Sequence, residues 1–180
     1  VKLSGDQVDQ VKDDPELKVV GAGYLWYLTL NMNDVPALAN KNMRLALTHA
    51  VNRVALVTDV LKDGSVATYT AVPPQFATGP DGSDFSGDQT LFKDVCSDDT
   101  AKAAQYYELA KQELGQDTFT FEFLIEDQTE TQNVGAVIKE QVEKALPGVT
   151  LNIKVEPKKQ RVEDIQNGRY EVCLTRWGPD

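Results

Sequence analysis

"TFTFEFLIEDQTETQNVGAVIKEQVEKALPGVTLNIKVEP", residues 118–157, decides the fold. Its first eight residues alternate, with Phe119, Phe121, Phe123 and Ile125 on one side, the period-2 signature of a strand with one face buried. From about 129 to 146 the period lengthens. Val134, Ile138, Val142 and Ala145 then share one face of a helix, which Pro147 and Gly148 end. Alternation returns over 149–156 with Leu151, Ile153 and Val155. Strand, helix, strand in so short a span implies parallel pairing with a helix covering the sheet.

The same alternation extends both ways. A helix over about 99–114 places Ala103, Tyr107, Ala110 and Leu114 on one face, with Gly115 closing it and Asp98 or Asp99 as its cap. A short helix over about 158–167 carries Val162 and Ile165 and ends at Gly168, and a last strand covers about 169–176. The C-terminal half thus reads β-α-β-α-β, a mixed or mostly parallel sheet flanked by helices.

The N-terminal half opens with a short helix, for which Ser4 and Gln7 fit a capping box, stopped near Pro15. "LKVVGAGYLWYLTLNMN" (17–33) reads as one strand, with a break between Gly21 and Gly23. Met43, Leu47, Ala50, Val54, Val57 and Leu61 then step by fours and threes, which predicts one helix over about 41–62, capped by Asn40 and terminated near Gly64. Residues 63–98 are rich in Gly, Pro, Ser and Asp. So long an irregular stretch is expected to be a functional or covering loop, with a boundary between two small domains as the alternative.

Composition narrows the function. The 180 residues are enough for one large domain, and no run reaches the roughly 20 apolar residues needed to span a bilayer. The chain opens without Met or an apolar leader, as a mature protein or an excised piece would. A formal net charge of −10 argues against nucleic-acid or anionic-membrane partners, which need clustered Lys and Arg. Cys96 and Cys173 lack the close spacing of a metal motif and stand either as separate thiols or as one long-range disulfide.

Chemistry-bearing patterns are sparse. The one histidine, His49, falls at the edge of the apolar stripe, where a boundary position is expected, and no nucleophile elbow accompanies it. Neither a P-loop nor a strand-following GxGxxG occurs. The acidic run "DGSDFSGD" (81–88) lacks the closing Glu of a calcium loop, since residue 92 is Phe. No catalytic set, metal or cofactor is expected. The aromatic residues Tyr24, Trp26 and Tyr27 lie on the first strand, and Trp177 lies just past the last. Ligands of parallel sheets bind beyond the carboxyl ends of the strands. Trp177, Gly178, Pro179 and Asp180 are therefore a candidate site, a flat apolar wall beside a carboxylate.

Three stretches carry a resemblance: "YLTLNMND" (27–34), "NKNMRLALTHAVNRVALVTDVLKDGSVATYTAVPP" (40–74) and "YEVCLTRWGPD" (170–180). The chain resembles the solute-binding proteins of oligopeptide and dipeptide ABC importers (family 5). A strand ends in Asn31, a helix carries Arg44, Ala46, Leu47, Ala50, Asn52 and Arg53, and Gly64, Pro73 and Pro74 follow. The resemblance implies a lobe of type II periplasmic-binding-protein fold, most of the C-terminal lobe of a larger two-lobed receptor. It implies an extracytoplasmic role, periplasmic or lipid-anchored, delivering peptides to an ABC permease, with non-peptide ligands such as nickel chelates or sugars as the alternative. A stand-alone α/β interaction domain is the alternative from another class. It further implies that Asp180 pairs with a peptide's α-ammonium and that Trp177 and Gly178 line the pocket. Some such receptors carry a cysteine directly after the Trp, bonded to one on the early strand. Those places correspond to Gly178 and, approximately, Tyr24, so that bridge is absent here and Cys96 and Cys173 do not inherit it.

Overall fold

The computed structural model describes residues 3, 5–21, 23–87, 92 and 95–178. Ser4, the expected first cap, lies outside them. Helix α1 (Gly5–Val11) precedes strand β1 (Leu25–Leu30). Short helix α2 (Pro36–Ala39), α3 (Lys41–Ala50) and α4 (Arg53–Ala55) follow, the last running into a π-helix (Leu56–Leu61). Then come α5 (Thr100–Leu114), β2 (Phe119–Glu126), α6 (Thr129–Ala145), β3 (Val149–Glu156), α7 (Lys158–Gln166) and β4 (Val172–Trp177).

The four strands form one mixed sheet in the order β1-β4-β2-β3. β2 runs parallel to both β3 and β4, whereas β1 runs antiparallel to β4. Register fixes the faces. Phe123 lies opposite Val172 and Ile153, so the alternating apolar residues of β2, β3 and β4 share one side. Helices α3, α5 and α6 bury that side through Met43, Leu47, Tyr107, Ala110, Val134, Ile138 and Val142. Gly148 closes the α6–β3 connection at φ 112°, a conformation few other residues adopt. A Cβ there would also meet the Tyr107 hydroxyl at 2.6 Å, which donates instead to the Asp117 carbonyl at 2.8 Å.

Four expectations are corrected. The strand expected over 17–33 is confined to Leu25–Leu30. The helix expected over 41–62 breaks at residues 51 and 52. Val51 is extended, and Asn52 starts a new turn by accepting from the Ala55 amide at 2.8 Å, while its own amide donates to the Gln141 side chain at 2.9 Å. The apolar spacing of the sequence continues across the break, so periodicity alone could not reveal it, yet Val54 is exposed rather than on the buried face. His49 is not at a boundary but buried, at 1% exposure. Its Nδ1 sits 2.6 Å from the Ser97 carbonyl and its ring stacks on Tyr106 at 5.6 Å. In α7 the buried residues are Arg161 and Asp164, while Val162 is exposed.

Candidate functional site

Because β2, β3 and β4 are parallel, their carboxyl ends, Glu126, Glu156 and Trp177, share one edge of the sheet. β1 starts at that edge, with Leu25 opposite Trp177. Trp177 is the last residue of β4 rather than the residue just past it, and it is 65% exposed. Gly178 follows against Tyr24, and a Cβ on Gly178 would lie 2.4 Å from the Tyr24 ring. Pro179 and Asp180 lie outside the described residues, so the carboxylate half of the expected site has no geometry here.

Beneath the Trp177 edge lies a charge cluster that the sequence did not announce. Arg161 of α7 donates to Glu126 at 3.0 Å, and both side chains are nearly inaccessible. Arg176 stands 3.8 Å from the same carboxylate, donates to the Gln128 side chain at 2.8 Å and lies 5.6 Å over the Trp26 ring. These groups, with Thr131, Leu174 and Thr175, line a cavity of about 10 Å³. Glu126 Oε1 and Arg161 Nε and Nη1 have no hydrogen-bond partner among the described residues. The cluster is an internal brace that fixes the ends of β2 and β4 relative to α7.

A larger open groove, about 690 Å³, lies beside the start of β4 and across the middle of β2 and β3, among Asn31, Asp34, Glu122, Lys154, Arg169 and Glu171. Its polar groups are engaged with one another. Lys154 meets Glu156 at 3.0 Å, Glu122 at 3.4 Å and Asp164 at 3.6 Å, and Arg169 meets Asp164 at 2.8 Å. Glu171 accepts from the Glu122 amide at 2.6 Å. Asn31 is buried and donates to Asp34 and to the Gly168 and Tyr170 carbonyls at 2.9–3.1 Å, locking β1 to the approach of β4. These contacts tie the walls of the groove together.

The residues of the central pattern also serve the fold. Arg44 donates to the Leu38 and Ala39 carbonyls at 3.0 and 2.7 Å. Arg53 donates to the Cys96 carbonyl and lies 5.7 Å over Tyr69, tying residues 69 and 96 to the helix break. Burial lowers the Arg53 guanidinium pKa, and the nearby Cys96, Tyr69 and Asp98 oppose that. In the acidic run, Asp81 accepts from the Ser83 amide and hydroxyl, and Asp84 from the Gln75 and Ser86 amides. These are turn contacts. Among the described residues no group of three His, Cys, Asp or Glu is placed to hold a metal ion, and no helix is long and apolar enough to cross a membrane. Cys96 and Cys173 are free thiols, the latter buried.

A sheet flanked by helices, mixing one antiparallel with two parallel pairings, defines a lobe of the periplasmic-binding-protein type. The chain belongs to the bacterial extracellular solute-binding proteins, family 5, whose middle-region model matches residues 1–180. It is 32% identical over 145 residues to a dipeptide-binding protein of Lactococcus lactis, covering 80% of this chain and 26% of that protein. The substrate-binding domain of an oligopeptide ABC transporter from Bacillus anthracis is 36% identical and superposes with a TM-score of 0.90, over 99% of this chain and 35% of that one. Peptide-bound OppA of Listeria monocytogenes is 28% identical, with the same TM-score and coverage. The chain therefore spans about a third of the length of these solved structures.

Proposed function

We propose that this chain is a lobe of an extracytoplasmic receptor that captures oligopeptides and delivers them to an ABC permease. The reading is of most of the C-terminal lobe of a two-lobed protein, with residues 63–98 as a covering loop and a periplasmic or lipid-anchored setting. One observation carries it: Trp177 stands exposed where the parallel strands end, in a chain that superposes almost completely on peptide receptors. Trp177 would form an apolar wall, Gly178 would let a peptide backbone approach closely, and Asp180 would pair with the peptide's α-ammonium. Main-chain hydrogen bonds would then give tolerance of sequence, since every peptide offers them.

An ammonium paired with a carboxylate in a closed cleft is sensitive to truncation, and losing one partner costs about 2–5 kcal/mol. Isothermal titration of the full-length protein with trialanine and N-acetyl-trialanine tests this. The free peptide should bind at least about thirtyfold more tightly, the lower limit of that energy. Asp180→Asn should abolish the difference, and Trp177→Ala should weaken both. Equal affinity for free and acetylated peptides in the unaltered protein refutes the ammonium role. No binding of any peptide refutes the peptide reading.

A further inference from the structure

Gly178 lacks a side chain for a reason its own backbone does not supply. Its φ lies outside the left-handed region, so any residue could adopt its conformation. The exclusion comes from across the ladder. A Cβ at 178 would lie 2.4, 2.6 and 2.8 Å from Cε1, Cδ1 and Cζ of Tyr24, closer than real Cβ contacts come. The register accounts for this. Leu25 faces Trp177, so the next step outward sets Tyr24 opposite Gly178. The ring lies across the glycine α-carbon.

This contact is poor value as core packing, because Tyr24 remains 57% exposed. It sits instead at the open end of the β1–β4 ladder. There, successive side chains project to opposite faces, so the Trp177 indole and the Tyr24 ring flank the same turn of chain from two sides. Immediately inward, Arg176 and Trp26 form the next pair on the Tyr24 side, 5.6 Å apart. Tyr24 thus lies on the same face of the ladder as the Arg176–Trp26 pair, one step nearer its open end.

We propose that Tyr24 is a positioning residue of the ligand site: its ring clamps Gly178 and thereby holds the backbone beside Trp177 in place. The proposal rests on the reading of the Trp177 edge as the peptide site. Glycine at 178 lets the ring lie where it does, and a side chain there would displace it, so the two positions act as one unit.

Trialanine titrations of the full-length protein and its Tyr24→Ala, Tyr24→Phe, Gly178→Ala and Tyr24→Ala/Gly178→Ala variants test this, each with a thermal melt. Gly178→Ala and Tyr24→Ala should each weaken binding by about tenfold, the coupling expected of residues in contact. Tyr24→Phe keeps the ring and should stay within about twofold of the unaltered protein. The double variant should bind no more weakly than Tyr24→Ala, because without the ring the added methyl has room. Equal costs of Gly178→Ala with and without the ring overturn the clamp. Melting temperatures that fall while affinities hold make the contact structural only and overturn the positioning role. An unaltered protein that binds no peptide fails the site reading itself and takes this proposal with it.

Discussion

Replacing Arg161 with methionine isolates what the buried charge pair does for the lobe. The guanidinium meets Glu126 at 3.0 Å, and the two side chains expose only 5% and 3% of their surface. Methionine keeps most of the aliphatic volume against the sheet, so the change strands a carboxylate rather than opening a hole. Breaking a buried pair by removing one partner costs about 3–5 kcal/mol, because the remaining charge is neither solvated nor matched. Here Arg176 stays within 3.8 Å of Glu126 and supplies part of the lost attraction. That places the expected loss near the low end, about 3 kcal/mol. In a chain of this size it lowers the melting temperature by about 6–12 °C. Urea unfolding of the 180-residue chain followed by circular dichroism measures it, with melting curves as a second reading. The double variant Glu126→Gln/Arg161→Met carries neither charge and should recover more than half the loss. A single-variant loss below about 1 kcal/mol, the range of exposed pairs, refutes the reasoning. A double variant no more stable than the single also refutes it, because the cost would then lie in packing.

Two further outcomes follow from the same geometry. Burial raises the Cys173 thiol pKa and closes it off, while Cys96 is partly exposed. A disulfide-exchange reagent at neutral pH should therefore label Cys96 in the native chain, and Cys173 only after denaturation. Asp164 is held below the usual carboxylate range chiefly by its hydrogen bond to Arg169, Glu143 by that to Lys139, and Asp99 by the Lys102 amide. A depressed carboxylate contributes stability that is complete above its unfolded pKa, about 4, and that fades as pH falls through the folded value. Melting temperature should therefore hold above about pH 5 and drop below about pH 4, with a shallower drop in Asp164→Asn.

The bounds of the elements from 99 to 167 were legible within a residue or two, because periods change cleanly between them and Gly115, Pro147 and Gly168 mark stops. β3 spans Val149–Glu156 as read, and β2 is shifted by one. Misreadings arose where distant residues decide local structure. Asn52 breaks a helix whose apolar spacing runs on unbroken, because Gln141 of α6 takes its amide. His49 is buried because Ser97 and Tyr106 close over it. α7 turns Arg161 inward because Glu126 awaits it at the end of β2, a pairing that no spacing encodes. Of the candidate site, the place of Trp177 at the end of the last strand was legible to within one residue, while the binding roles of Trp177 and Gly178 stand as proposals. The Tyr24 contact required the register of two strands that lie at opposite ends of the sequence. Nothing in the composition distinguished Arg176, one charge among many.

The β1–β4 ladder has unlike ends. At residues 31 and 171 it is sealed by the Asn31 amide bond to the Glu171 carbonyl and the side-chain bonds of Asn31. At 24 and 178 it ends in one aromatic contact. The strands are antiparallel neighbours, so a load drawing residues 24 and 178 apart opens them like a zipper, one rung at a time from the Trp177 end. The same load at the Asn31 end meets several bonds together. Under such a load opening is directional: the Trp177 edge yields first, and the Asn31 edge holds.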